Sequence, residues 1–376
     1  MRDKFIFYLC VMAINVFHII SDKVWGGAEQ YVYDLAAELR AEGNYIEIVA
    51  RNRRQILDRL RELEVPVSIL PLKGLTDIDS PLRFARLIKK GKNIIHVHNV
   101  KDAATAALAR HISENKNNKI VMTCHEVKKA KRGIIYKKVY RDIDKIIFVS
   151  NLAREAFVES RSGIDPQRMT VIHNSGHRLR DKNVTTINIR EKYNIPASKR
   201  LIMFHGHVSA EKGVSVLLRA LTQLDKEKYH LVIIGSGETK YMGIIKAFIV
   251  ANQLLNNVTF LGYQNCVQPL LAQCDFGVLP SVCRESFGLT NLEYMMVGKA
   301  HIATNNGAQK EYIDNETTGI LVDPDDFMEL ASAIEQLIDN PDLCARIGDA
   351  ASRKFDTELS YSHFYNNIIN TYKSLF

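Results

Sequence analysis

The stretch Pro280-Ser281-Val282-Cys283-Arg284-Glu285-Ser286-Phe287-Gly288-Leu289-Thr290-Asn291-Leu292-Glu293 decides how this chain reads. Phe276 to Pro280 forms a short apolar run that suits a buried strand, and the pattern from Leu289 onward suits a helix. The segment is therefore a strand, a loop and a helix start. Free backbone N–H groups at a helix start favour an anion, so those around Phe287, Gly288 and Leu289 can hold a diphosphate. Glu285 stands just before the helix, where it can face a sugar. Glu293 falls about 7 Å further along if Gly288 to Glu293 is helical, a spacing that lets its carboxylate take the vicinal diol of a ribose. Isolated glutamates are most often surface residues, so the loop gains meaning only from its neighbours.

Two other loops have the same form. His205-Gly206-His207-Val208-Ser209-Ala210-Glu211-Lys212-Gly213 follows a strand and precedes the helix Val214 to Leu224, which lets Lys212 meet a phosphate as a point charge. Ser21 to Gly27 feeds a helix with apolar positions Tyr31, Val32, Leu35, Ala36 and Leu39, and Gly26-Gly27 allows close backbone approach to a ligand. By itself each of these reads equally as an exposed lysine or a tight turn.

Short β-branched runs alternate with amphipathic stretches along the whole chain, which predicts parallel sheets covered by helices on both faces. Strands are expected at 14–20, 45–50, 67–70, 94–98, 119–123, 145–150 and 170–173, then at 200–205, 230–234, 258–261, 276–280, 300–304 and 320–322. The chain of 376 residues, 46% apolar, suits two Rossmann-like domains. The expected division is 1–185, 186–355 and a terminal helix in 356–376 that packs back on the first domain. Ligands in such sheets sit beyond the carboxyl ends of the strands, so two domains facing a central cleft would carry their chemistry in these loops.

Composition narrows the function classes. The chain is 24% charged with 9 prolines and 20 glycines, which excludes disorder, collagen and coiled coil. Its six cysteines form no C-x-x-C pair and no zinc spacing with histidine, so a reducing, cytoplasmic setting is expected. Phe5 to Ile20 is apolar but is interrupted by Asn15 and His18 and is short for a spanning helix, and it reads as a buried first strand, with Met12 an alternative start to Met1. The net charge of +8 is uneven: residues 1–185 hold 33 Lys and Arg against 21 Asp and Glu, and the remainder hold 17 against 21. Part of the excess lies in 128–145, where Lys128, Lys129, Lys131, Arg132, Lys137, Lys138, Arg141 and Lys145 are interleaved with Ile134, Ile135, Tyr136, Val139 and Tyr140. This is either a basic amphipathic helix for an anionic membrane surface or a solvated helix face. No nucleic-acid recognition motif accompanies it.

The order of the loops is more specific than any one of them. Gly26-Gly27-Ala28-Glu29, then Glu211-Lys212-Gly213, then Glu285-x7-Glu293 resembles the retaining glycosyltransferases of family 4, which have the GT-B fold. Ile95-His96-Val97-His98-Asn99, Thr123-Cys124-His125-Glu126, Gly235-Ser236-Gly237 and Gly307-Ala308-Gln309-Lys310-Glu311 extend the resemblance over nearly the whole chain. The resemblance implies a metal-independent, hexosyltransferase-type enzyme that uses a nucleotide diphosphate sugar, most commonly a UDP-sugar, and no other cofactor. It implies that Lys212 and His207 neutralise the diphosphate, that Glu293 holds the ribose and that Glu285 contacts the transferred sugar. Gly235 and the backbone of Phe287, Gly288 and Leu289 would belong to the donor pocket, with Asn306 and Gly307 at its border. His125, Gly26 and Gly27 would line sugar and phosphate from the other domain, and domain closure would exclude water. The implied acceptor is a glycan or a lipid-linked glycan of envelope or capsular polysaccharide, lipopolysaccharide included, handled in the cytoplasm or at the inner face of the membrane.

One departure stands out: where the family has Gly-Arg, this chain reads Gly206-His207, which replaces a permanent bidentate cation with a group that titrates near neutrality. A nucleotide-sugar epimerase of the same architecture and a non-catalytic nucleotide-sugar-binding protein are the alternative functions. Asp77-Ile78-Asp79 and Asp142-Ile143-Asp144 have the form of a metal-binding triplet but follow no suitable strand, so no catalytic metal is expected. His96 and His98 read as polar caps at a strand end.

Overall fold

The computed structural model describes residues 14–160, 163–178 and 187–376. Among these residues the strands are β1 (Ile14–Ile20), β2 (Tyr45–Ala50), β3 (Val67–Ile69), β4 (Lys92–Val97), β5 (Asn118–Cys124), β6 (Lys145–Phe148) and β7 (Met169–Val171), then β8 (Arg200–His205), β9 (Tyr229–Ile234), β10 (Val258–Gly262), β11 (Phe276–Leu279), β12 (Ala300–Thr304) and β13 (Ile320–Val322). They form two sheets, in the orders β3-β2-β1-β4-β5-β6-β7 and β10-β9-β8-β11-β12-β13. The paired strands are parallel. Strands covered on both faces need no polar alternation, which is why β1 and β9 read as nearly continuous apolar runs.

Chain contacts divide the protein into two compact units. Of the described residues, the first holds those within 14–148, 156–172 and 365–376, and the second holds those within 149–155 and 173–364. The terminal helix Tyr361–Lys373 thus ends within the first unit, where the Tyr372 hydroxyl lies 2.6 Å from Nδ1 of His96. The second unit's core gathers Phe204, Val214, Leu217, Leu231, Ile233, Phe276, Ile302 and Ile334, all fully buried.

Strand order places the functional loops. In each sheet the order reverses once, between β1 and β4 and between β8 and β11. Helices on either side of such a point leave on opposite faces of the sheet and open a crevice beyond the strand ends. The loops there are 21–26 and 98–99 in the first unit, and 206–213 and 280–288 in the second.

The apolar stretch Phe5 to Ile20 resolves into β1 from Ile14 onward, while Met1, Met12 and Ala13 lie outside the described residues. No helix among the described residues is long and apolar enough to cross a membrane. In the basic segment the helix is Ile134–Asp142, and its leading Ile134 and Ile135 are 85% and 58% exposed.

Candidate functional site

In the second unit, the loop carrying Lys212 is pressed against the loop carrying Glu285. Glu211 accepts hydrogen bonds through its carbonyl from the amides of Val282 (2.9 Å) and Cys283 (3.2 Å). Gly213 has a φ of +70°, and a Cβ there would lie 1.8 Å from the Pro280 carbonyl oxygen, so only glycine permits this approach. Lys212 Nζ donates to Glu285 Oε1 at 2.5 Å, and Ser281 Oγ donates to the same oxygen at 2.5 Å. The Ala308 amide donates to the Glu285 carbonyl (2.9 Å), which ties the Gly307 turn to the same place.

The helix Leu289–Met296 starts at Gly288, whose φ of +88° is left-handed, and no side chain caps it. The buried Tyr312 hydroxyl donates to the carbonyls of Phe287 (2.7 Å) and Gly288 (3.1 Å). In a trans peptide the N–H opposes the C=O, so fixing these two carbonyls turns the amides of Gly288 and Leu289 away from Tyr312. The Phe287 side chain is core, packed on Tyr312 with ring centroids 4.8 Å apart, so its contribution to a ligand is backbone. Glu293, one turn into the helix, has Oε2 2.5 Å from Nε2 of His205 at the end of β8. Sequence reasoning missed His205 as a partner of Glu293, and its position at the end of a switch-point strand was the available signal.

Gly206, His207 and Gly235 belong to the same strand-end layer. The Gly206 amide donates to the Ile234 carbonyl (3.0 Å), the Val208 amide to Ser236 (2.9 Å) and the Gly235 amide to Gly262 (2.8 Å). His207 is exposed. The second unit therefore brings a lysine, an uncapped helix start and Glu285 together on adjoining strand-end loops, with the Glu293 carboxylate one turn into the helix. Such an arrangement has the chemistry to meet a diphosphate and offers acceptors for sugar hydroxyls.

In the first unit, Gly26 caps the helix Gly27–Ala41, and its amide donates to Glu29 Oε2 at 2.9 Å. This amide is engaged by the chain itself. Burial, more than the nearby Asp22, raises the Glu29 carboxyl above its usual range, and Glu29 Oε1 has no hydrogen-bond partner among the described residues. A cavity of about 650 Å³ opens next to this loop at the strand ends. Lys23, Arg51 and Lys73 line it from three successive loops, Lys101 from the first turn of the helix Val100–Ile112, and Lys128, Lys129 and Lys131 from a further loop, against Asp22, Glu29 and Glu126. Arg51 is aimed by hydrogen bonds to the carbonyls of Pro71 (3.0 Å) and Ser21 (3.4 Å).

His125 also lines this cavity, and it does not stand alone. His98 Nδ1 lies 3.0 Å from His125 Nε2, and His98 Nε2 lies 3.2 Å from His18 Nδ1. His96 makes two bonds of its own, to Tyr372 Oη (2.6 Å) and Thr123 Oγ1 (2.7 Å). Burial lowers His18 to about 3 and His125 to about 4, and pushes His96 and His98 well below the usual imidazole value, so all four are neutral near pH 7. The reading of His96 and His98 as separate polar caps is corrected: β1 and β4 pair with His18 opposite His96, which puts these rings on one face of the sheet. Nitrogens of His18, His96 and His98 lie within 4.8 Å of one another.

The two Asp-x-Asp triplets hold structure. Burial opposes ionisation of Asp77, but hydrogen bonds from Ser80 and Lys73 outweigh it and hold the carboxyl below its usual range. Asp142 and Asp144 pair with Arg110 at 3.0 and 2.7 Å.

Comparison with known proteins joins these observations. The model of Glycosyltransferase Family 4 matches residues 25–175, and that of Glycosyl transferases group 1 matches residues 185–354. The chain is a member of the family 4 glycosyltransferases. An uncharacterized glycosyltransferase of Methanocaldococcus jannaschii is 27% identical over 190 residues, which is 50% of this chain and 48% of that protein. The chain thus spans about half the length of the first curated relatives it matches. A Rickettsia africae glycosyltransferase structure superposes with a TM-score of 0.86 at 23% identity, covering 96% of this chain and 98% of that one. Anabaena HepE, solved in complex with UDP, gives 0.84 at 19% identity over 96% and 100%. These likenesses establish the GT-B fold, with its two Rossmann-like units, for this family 4 chain.

Proposed function

We propose that the chain is a retaining, metal-independent glycosyltransferase that moves a hexose from a nucleotide diphosphate sugar, a UDP-sugar, to an anionic glycan or lipid-linked acceptor of a surface polysaccharide. The observation that carries this reading is Lys212 in contact with Glu285 on loops adjoining the uncapped start of Leu289–Met296. A donor diphosphate would lie between the Lys212 ammonium and the amides of Gly288 and Leu289, with Glu293 on the ribose and Glu285 on the transferred sugar. UDP in the HepE complex supports the choice of base.

In the reaction, the bond between the anomeric carbon and the diphosphate oxygen breaks with its electron pair on the diphosphate. The acceptor oxygen bonds to the same face of that carbon and its proton passes to the departing diphosphate. Lys212 and the helix amides oppose the charge that grows on the leaving group, which is electrostatic catalysis without a covalent enzyme intermediate. The seven cations on the wall of the first unit's cavity favour an acceptor carrying phosphate or another anion. His125, on the same wall, would touch substrate. The exposed Ile134 and Ile135 amid lysines suit peripheral contact with an anionic membrane.

The test is to incubate the full chain with UDP-sugars and with phosphorylated or neutral acceptors, reading the product's anomeric configuration by NMR. A product of retained configuration is expected. Epimerised donor without acceptor would make the protein an epimerase, and UDP binding with no turnover on any acceptor would make it a binding protein.

A further inference from the structure

The imidazoles of buried His18 and His98 and of half-buried His125 form one continuous hydrogen-bonded chain with a closed end and an open end. His18, at the closed end, is fully buried on β1, and its Nε2 has no hydrogen-bond partner among the described residues. His125, at the open end, reaches the 650 Å³ cavity. Between them His98 uses both ring nitrogens, Nε2 toward His18 (3.2 Å) and Nδ1 toward His125 (3.0 Å). We propose that His98 and His18 are positioning residues that hold His125 in the Nδ1–H tautomer, so that it meets a substrate oxygen in the cavity as a hydrogen-bond donor.

The argument is a count of protons. A neutral imidazole carries one N–H and one bare nitrogen, so a chain of three must run head to tail in one of two directions. If it ran from His125 inward, His125 Nε2–H would donate to His98 Nδ1 and His98 Nε2–H to His18 Nδ1, and the last proton would sit on His18 Nε2. That would leave a fully buried N–H with nothing to donate to, a class of orphan rarer in folded proteins than an unpaired acceptor. If it runs outward, His18 Nδ1–H donates to His98 Nε2 and His98 Nδ1–H donates to His125 Nε2. The buried orphan is then a bare lone pair, and the remaining proton is on Nδ1 of His125, which lines the cavity. The hydrogen bond on one imidazole nitrogen sets the proton on the other, so the closed end of the chain decides the chemistry of the open end.

His96 stays outside the chain because Tyr372 and Thr123 occupy both of its nitrogens. Tyr31 sets the rings in place from above, edge-on to His96, His98 and His125 at centroid distances of 6.1, 5.7 and 4.9 Å. The consequence for the reaction is specific. A His125 that donates from Nδ1 can bind a sugar hydroxyl or phosphate oxygen but cannot take the acceptor's proton, which agrees with a proton that leaves on the diphosphate.

The test uses the full chain labelled with 15N-histidine and two-bond 1H–15N correlation at pH 7.5, with assignment by single-histidine variants. His125 is expected as the Nδ1–H tautomer in the wild type. His98→Asn should preserve it, because an amide N–H at the position of Nδ1 can still donate to His125 Nε2. His98→Phe should lose it, and should lower the transfer rate more than the asparagine variant does. Nε2–H on His125 in the wild type overturns the inference, and so does an unchanged tautomer in His98→Phe. Stoichiometric zinc retained by His18, His96 and His98 would also end it, since the nitrogens would then be ligands and not links. The proposal rests on the reading that His125 touches substrate only for its effect on rate. If the tautomers are as expected and His125→Ala transfers sugar normally, that reading fails while the imidazole chain stands.

Discussion

Lys212 Nζ and Glu285 Oε1 are 2.5 Å apart, and the carboxylate shares that oxygen with the Ser281 hydroxyl. Seventy-three residues separate the two in sequence, and the ion pair is what joins the two donor-loop candidates into one site. The lysine side chain is 29% exposed and the glutamate 9%, so the cation keeps access to a ligand while the anion is largely desolvated.

Lys212→Ala removes the cation proposed to oppose charge on the leaving diphosphate and strands Glu285 in a largely dry position. Turnover should fall on the order of 100-fold, as for loss of other preorganised transition-state charge. Stability should fall by about 2 kcal/mol, the usual cost of an uncompensated, mostly buried carboxylate. Steady-state transfer assays and urea denaturation measure the two effects separately. A variant with wild-type turnover would remove Lys212 from the site.

Glu293 is aimed by His205, so the two should report on the same binding step. Glu293→Ala should weaken UDP binding about tenfold, the worth of one charge-assisted hydrogen bond. His205→Ala should weaken it in the same direction by less, because the carboxylate remains but loses its tether. Titration calorimetry with UDP decides this, and the double variant should be less than additive.

Two glycines with opposite surroundings test the packing of the lysine loop. Gly213→Ala would put a Cβ 1.8 Å from the Pro280 carbonyl oxygen at a left-handed φ, so it should cost at least about 2 kcal/mol and displace Lys212. Gly243, on the exposed surface of Thr239–Ala251, has open space within 4 Å of where a Cβ would stand, and Gly243→Ala should stabilise by about 0.5–1 kcal/mol. Thermal denaturation of both variants provides the comparison.

Acid should unfold the first unit through its histidines. His18 and His125 have folded-state values of about 3 and about 4, below the reference of about 6.5, so between those limits the unfolded chain binds more protons than the folded one. Their contribution to stability is complete above about pH 6.5 and declines as pH falls toward 4. Urea midpoints measured from pH 7.5 down to pH 4.5 should drop steadily, and His18→Phe should make the decline shallower.

The proposed membrane contact through the basic segment would rest on its exposed isoleucines. Replacing Ile134 and Ile135 together by Glu removes apolar insertion and reverses local charge. Co-sedimentation with vesicles containing anionic lipid should then be lost, and transfer to a soluble acceptor should be unchanged. Equal sedimentation of both proteins would show that the helix face is merely solvated.

Much of the fold was legible because its signals are local. The thirteen strand positions follow from apolar runs bounded by turns, and the three candidate loops, two in the second unit and one in the first, follow from glycines and charges at helix starts. Less of the site was legible. Lys212, Glu285 and Glu293 could be singled out, but His205 looked like the last residue of a strand, and His96 and His98 looked like separate caps.

What the sequence determined by itself is the alternation of strand and helix, the asymmetry of charge and the residues offered at each loop, because those depend on neighbours within a few positions. Only the tertiary structure decided that His205 holds Glu293 across 88 residues, that His18 meets His98 across 80 and that Tyr372 reaches His96 across 276. Such pairings depend on strand order. The reversal between β1 and β4, and again between β8 and β11, sets residues distant in the chain side by side at the strand ends, and no local pattern encodes which strand becomes the neighbour.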